Sequence, residues 1–295
     1  MKYRIQHTTE YRYESLVKIS QNQIMLSPQD SDRIICHEHR IDIQPSITSD
    51  QRRQDFFGNG VYSFCIEEGH RRLKVTANSL VTVKERGISE SSPSPVWETV
   101  RAGLLDGTDP RWLECAPFRF DSPRSRRRDE FREYAEVCFQ PGIPVLAAGL
   151  ALTRKIHKDF VYDTTATDVN TDVKRVFELR RGVCQDFTHF QVAALRSVGM
   201  AARYVSGYLR TLPPPGKPRL VGADQSHAWV SLYCGPELGW VDLDPTNACL
   251  CTLEHIPVAW GRDYGDVIPF RGVFLGGGSH QLLVSVDVCP MNLAR

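Results

Sequence analysis

From Tyr3 to Val83 the sequence repeats with a period of two, and that rhythm leaves few folds open. Tyr3, Ile5, His7, Thr9, Tyr11 and Tyr13 are mostly aromatic or β-branched, and most residues between them are polar or charged. This is the pattern of a strand with one buried face. Ser20 to Leu26, closed by Ser27-Pro28, predicts a second strand, and His37 to Ile43 a third. Asp55 to Gly60 carries Gly and Asn residues that accept positive φ, so a tight corner is expected before the strand from Val61 to Glu67. Leu73 to Val83 alternates again. Short antiparallel strands in series predict a β-sandwich-like or half-barrel domain over residues 1–86, and none of its residues suggests catalysis.

The period then changes. Gly87 to Pro95 is rich in Ser and Pro and reads as a linker, and short helical patterns mix with turns as far as residue 140. Ile143 to His157 has the apolar spacing of a helix, and Asp172 to Leu179 predicts another. Residues 141–295 are therefore expected to form a second, α+β domain, with 87–140 as linker and helical segment. A chain of 295 residues has room for both cores.

There are 36 basic and 35 acidic residues, a balance that argues neither for a nucleic-acid partner nor for an acidic tail. The run Arg124, Arg126, Arg127 and Arg128 reads as a solvated loop or helix start. The alternating N-terminus holds no continuous apolar segment, so neither a signal peptide nor a membrane helix is expected. Nine cysteines, an odd number without regular spacing, suit a reducing compartment, and a cytoplasmic location is expected. No Cys-x-x-Cys occurs; Cys36 with His37 and His39, and Cys249 with Cys251, each lack a matching second pair. Neither a metal nor a cofactor is therefore expected.

The chemistry centres on Arg181-Gly182-Val183-Cys184-Gln185-Asp186-Phe187. Cys184 opens an apolar helical run directly after a turn-forming pair. Unpaired N–H groups and a partial positive charge at a helix start favour a thiolate and can donate to an oxyanion. The bland alternative is a buried core cysteine. Its odds fall when His227 and Asp244 are added. Ser226 to Tyr233 and Gly239 to Asp244 predict a hairpin, and a turn centred between Gly235 and Pro236 sets His227 opposite Asp244, within about 4.5–5.5 Å between Cβ atoms. A longer, asymmetric turn would bring Asp244 nearer Trp229. Cysteine, histidine and aspartate supply a nucleophile, a general base and acid, and an orienting carboxylate.

Four ordered blocks carry a resemblance: Arg181 to Phe187, Ala202 to Tyr208, Ser226-His227-Ala228-Trp229-Val230, and Gly239 to Asn247 with its Asp244-Pro245-Thr246-Asn247. Together they resemble the core of bacterial transglutaminase-like proteins. Tyr3 to Val83 resembles the N-terminal region of one branch of that group, and Gly261 to Val267 that branch's segment after the core. The resemblance implies a papain-like core, with the cysteine helix packed on an antiparallel sheet. It implies Cys184 as nucleophile, His227 as base and acid, and Asp244, rather than Asp242, as the orienting carboxylate. The Cys184 N–H is the expected oxyanion donor, with Gln185 or a residue upstream as candidate second donor.

Other residues carry weaker readings. His189 sits about 140° around the helix from Cys184 and should point away. Asp186 reads as a helix N-terminal charge, and Trp229 as either a shield for the imidazole or core. Arg262, Asp263 and Tyr264 line a cleft or form a salt bridge, and the proline-rich loop Leu212 to Pro218 is a candidate lid. The expected partner is a peptide or amide substrate, protein substrates included, with neither nucleic acid nor membrane. Three functions compete: a cysteine hydrolase working through a thioester, a transglutaminase that resolves the same thioester with an amine, and a catalytically silent binding module. The complete triad argues against the last, and the bacterial resemblance favours hydrolysis.

Overall fold

The N-terminal alternation is realised as one strand rather than two. In the computed structural model, which describes residues 1–107, 109–211 and 224–291, strand β1 runs from Lys2 to Ser27. Glu14 to Ile19 contains neither Gly nor Pro, so nothing turns the chain. The register shifts instead between Arg12 and Val17. Each half of β1 has a partner on both edges. The first half pairs with β5 (His70–Val83) and β14 (His280–Pro290), the second with β4 (Gly60–Ile66) and β13 (Phe270–Gly276). Outside these lie β2 (Ile34–Gln44) on β5 and β3 (Ser49–Gln54) on β4, all antiparallel.

Two of these strands come from the far end of the chain. Gly276, Gly277 and Gly278 all have positive φ, a conformation that side chains resist. They let the chain step past Glu14–Val17 and resume pairing at Tyr13↔His280. The span 141–295 thus feeds two sheets.

The second sheet is antiparallel and five-stranded. Its order is β11 (Cys249–Leu250), β10 (Trp240–Asp244), β9 (Gln225–Tyr233), β8 (Ala202–Leu209), β12 (His255–Gly261). Helices α1 (Trp97–Asp106), α2 (Pro110–Leu113), α3 (Asp129–Glu136), α4 (Val145–Asp159), α5 (Val173–Leu179) and α6 (Cys184–Ser197) belong with it. A two-residue parallel pair joins β6 (Val161–Tyr162) to β7 (Arg181–Gly182) just before the cysteine. The fold is mixed α and β, with mostly antiparallel strands. No described helix is long and apolar enough to cross a membrane.

Helix α6 is buried over nearly its whole length. Phe187, Phe190, Val192 and Leu195 join one core with α1, α3, α4 and the inner face of the sheet, and each such side chain contributes about 1.5–3 kcal/mol by leaving water. Left-handed Gly199 ends the helix, with the Met200 N–H returning to the Leu195 carbonyl at 3.0 Å. A smaller core joins the two sheets, where Tyr3, Ile5, Val81 and Val286 meet Tyr208, Ile256 and Val258.

Candidate active site

The loop that presents Cys184 is braced from inside. The Asp186 carboxylate accepts from the Val183 N–H at 2.8 Å and from the Thr167 hydroxyl at 2.7 Å. Burial raises this carboxyl, and the two donors oppose the rise. Asp186 is thus more than an exposed helix-end charge. It lies so close to Gly182 that a Cβ there would stand 2.4 Å from its Oδ2, which explains why glycine precedes Val183-Cys184. The Asp186 and Phe187 N–H groups close onto the Val183 carbonyl. Among the described residues, the N–H groups of Cys184 and Gln185 have no backbone acceptor, as a helix start leaves them. The Gln185 side chain is tied to the Val169 carbonyl at 3.2 Å, so any donation from Gln185 to an oxyanion would come from its backbone.

The hairpin carrying the other two residues has a different register from the symmetric one. Trp240 pairs with Tyr233, Asp242 with Ser231 and Leu243 with Val230. The cause is the turn. Cys234 and Gly239 close it, with the Cys234 N–H on the Gly239 carbonyl at 2.8 Å, leaving four residues outside the ladder instead of two. Continued by one pair, this ladder sets Trp229 across from Asp244, as a longer turn requires. His227 lies two residues further along the same face and reaches Asp244 diagonally, its Nε2 2.8 Å from Oδ2.

Asp244 is fully buried and accepts five hydrogen bonds. Oδ1 receives the Thr246 and Asn247 N–H groups, at 2.8 and 3.2 Å, and Oδ2 receives His227, the Asn247 amide at 2.6 Å and His255 Nε2 at 3.1 Å. Burial raises the carboxyl, but the donors overcome it, His227 and His255 foremost, and hold it well below the usual carboxylate range. Since His227 Nε2 donates to Asp244, Nδ1 is left to face Cys184, which acts on the same ring. Burial lowers an imidazole, yet Asp244 and Cys184 outweigh it and raise His227 to about 10. Cys184, His227 and Asp244 are thus brought together in the order nucleophilic catalysis uses.

His255 and the Asn247 side chain are absent from the sequence-based set. Asn247 lies within one of the quoted blocks; His255 signals itself only as a histidine opening an apolar strand. Ligand atoms of His227, Asp244 and His255 lie within 4.8 Å of one another, the one such grouping among the described residues. As arranged they bond to each other, and a metal would have to displace those bonds.

The remaining readings resolve locally. His189 accepts the Tyr264 N–H on Nε2 at 3.1 Å and packs on Tyr204, and burial lowers it to about 3. Arg262 pairs with Asp266 at 2.8 Å, while Asp263 accepts from the Arg124 N–H at 2.9 Å and so anchors the start of the arginine run. Trp229 is fully buried, edge-on to His255 at 5.4 Å and 6.1 Å from His227. It belongs to the packing behind the histidines. The loop Leu212–Pro218 lies outside the described residues.

A helix that presents a cysteine beside an antiparallel sheet carrying the linked histidine and aspartate places the chain among papain-like folds. It belongs to the transglutaminase-like superfamily: residues 132–245 match that superfamily's model, and residues 3–82 match the bacterial transglutaminase-like N-terminal region. An uncharacterised protein of Mycobacterium tuberculosis is 39% identical, over 98% of this chain and 93% of its own length. A crystal structure of a candidate cysteine protease from Cytophaga hutchinsonii has a TM-score of 0.73 at 20% identity, covering 100% of this chain and 92% of that one, a likeness of fold. A protein-glutamine gamma-glutamyltransferase of Pseudomonas aeruginosa is 35% identical over 140 residues, 46% of this chain and 20% of that protein.

Proposed function

We propose that the chain is a cysteine hydrolase that cleaves an amide or peptide bond through a thioester, with Cys184 as nucleophile, His227 as base and acid, and Asp244 as the orienting carboxylate. The observation that carries this reading is the buried His227–Asp244 hydrogen bond at 2.8 Å with Cys184 acting on the same imidazole. An imidazole raised by Asp244 and Cys184 is a stronger base for the Cys184 proton. The thiolate attacks the carbonyl carbon, and the carbonyl electrons move onto oxygen, where the free N–H groups at the α6 start can receive the charge. As the tetrahedral species collapses, the C–N bond breaks and the amine leaves with the proton from His227. Water, deprotonated by His227, then attacks the thioester, and the proton returns to sulfur as the acid is released. The nine cysteines, none in a disulfide, support a cytoplasmic location.

A transglutaminase would follow the same course until an amine replaces that water. The likeness to the Pseudomonas aeruginosa transferase keeps this reading in view. The separating experiment is a screen of glutamine-containing peptides with and without a fluorescent primary amine, reading amide release against amine incorporation. Hydrolysis is expected to dominate and to vanish in Cys184→Ala; incorporation outpacing release would make the chain a transferase. Independently, Cys184 should react with iodoacetamide near neutral pH faster than the other eight cysteines, and equal reactivity would overturn its role as nucleophile.

A further inference from the structure

His255 lies outside every motif block, yet it touches the atom that matters most to His227. Its Nδ1 accepts the Thr252 N–H at 3.1 Å, so the ring proton sits on Nε2 and points at Asp244 Oδ2, 3.1 Å away. The ring is buried, Trp229 stands edge-on against it, and its carbonyl faces the Arg33 guanidinium at 3.5 Å. Arg33 also bonds the Thr252 carbonyl at 2.8 Å, which holds the turn ahead of β12. The tautomer of His255 is therefore set by backbone.

Oδ2 receives three donors where a carboxylate oxygen has two lone pairs. Each donor draws on the same negative charge. Among the described residues, the groups facing the cluster are Cys184 from α6, His227 from β9, Asp244 from β10, Cys249 in β11 and Cys251 just after it, and Arg33 through the His255 carbonyl with its ion-pair partner Asp242. Burial followed by Asp244 raises Cys249 to about 11, and burial followed by Asp242 and Asp244 raises Cys251, so both remain thiols at neutral pH.

We propose that His255 is a positioning residue of this site: by donating to the Asp244 oxygen that also holds His227, it fixes the carboxylate and limits how strongly that carboxylate stabilises a protonated His227. The proposal deepens the hydrolase reading, because it concerns the proton carrier of that mechanism. It also separates His255 from a residue that merely fills space, which would leave the His227 titration where it is.

The test is an NMR titration of the full chain carrying ¹⁵N-labelled histidine, with the His227 signals assigned by His227→Gln. His255→Phe keeps an aromatic ring against Trp229 and removes the donor. The His227 midpoint is expected to move up by about half a pH unit, the scale of one shared hydrogen bond, and His255→Gln, whose amide can donate, should return it toward the wild-type value. An unchanged or lowered midpoint in His255→Phe overturns the proposal, as does an equal shift in His255→Gln. Should His255→Phe fail to fold, the wild-type spectra still decide. They must show His255 protonated on Nε2 and not on Nδ1, and the opposite tautomer rejects the idea. An unreactive Cys184 would overturn the hydrolase reading and leave these titrations standing; a failed titration beside a reactive Cys184 would do the reverse.

Discussion

Arg40 in the N-terminal sheet and Arg196 in the cysteine helix carry the same guanidinium into opposite surroundings. Arg40 is 80% exposed and meets Asp42 at 2.7 Å on the water-facing side of β2. Arg196 is 1% exposed and donates to the carbonyls of Phe118, Ala202 and Arg262 and to the Ser122 hydroxyl, at 2.7 to 3.2 Å. Burial pulls it down to about 10, still protonated at neutral pH. In the first sheet polar side chains largely follow the outer phase of the alternation, where water can satisfy them. Around α6 they are inside, and protein atoms must satisfy them. Asp244 and Asp186 follow the second rule, which is why the candidate site lies in this half of the molecule.

The sharpest break in this contrast is Asp244→Asn. An amide cannot accept at both oxygen positions: its NH₂ would face either the His227, His255 and Asn247 donors or the two backbone N–H groups. Turnover on an amide substrate should fall by about 10³-fold or more, as expected when the imidazole loses its tautomer control. Circular dichroism would confirm that the variant is folded. A loss of less than tenfold would remove Asp244 from the mechanism.

Next in size is Arg196→Ala. It leaves three carbonyls and a hydroxyl without their donor, and urea unfolding should show a loss of about 3–5 kcal/mol. Arg40→Ala is the matched control from the other sheet and should change stability by less than about 0.5 kcal/mol. Similar losses from both would mean that the two regions do not differ as described.

Much of this contrast was legible in the sequence, and the failures have identifiable causes. The alternation of Tyr3–Tyr13 and Leu73–Val83 marked strands because one face is wet, and the apolar run after Cys184 marked a helix. Arg181 to Phe187 stood out because a cysteine after Gly at a helix start has few bland explanations once a histidine and an aspartate follow. The union of two expected strands into β1 was hidden because a register shift needs no turn residue. The hairpin register was missed by two because turn length depends on where Cys234 and Gly239 close, which composition does not specify. β13 and β14 could not be assigned to the first sheet, since a strand's partner is set by which edge is open and not by its place in the chain. His255 was invisible because its role comes from meeting Asp244 in space.

A pH-dependent effect is expected where the two halves touch. His7 of β1 is buried between the sheets, with Nδ1 3.0 Å from the Tyr208 hydroxyl and Nε2 3.2 Å from Thr9 Oγ1. Burial alone lowers it to about 4 from an ordinary 6.5. Between those values the unfolded chain binds a proton that the folded chain refuses, so His7 contributes its full stability above pH 6.5 and loses it as the pH falls toward 4. The slope approaches about 1.4 kcal/mol per pH unit for one proton. His39, lowered to about 4 by burial and then by Arg52, adds a similar background within the N-terminal sheet, so the difference between variants is what counts. His7→Gln keeps a donor and an acceptor but does not titrate. Urea unfolding of both proteins from pH 7 to pH 4 should give a shallower decline for His7→Gln, and identical slopes would show that acid loosens the molecule somewhere other than the seam between its sheets.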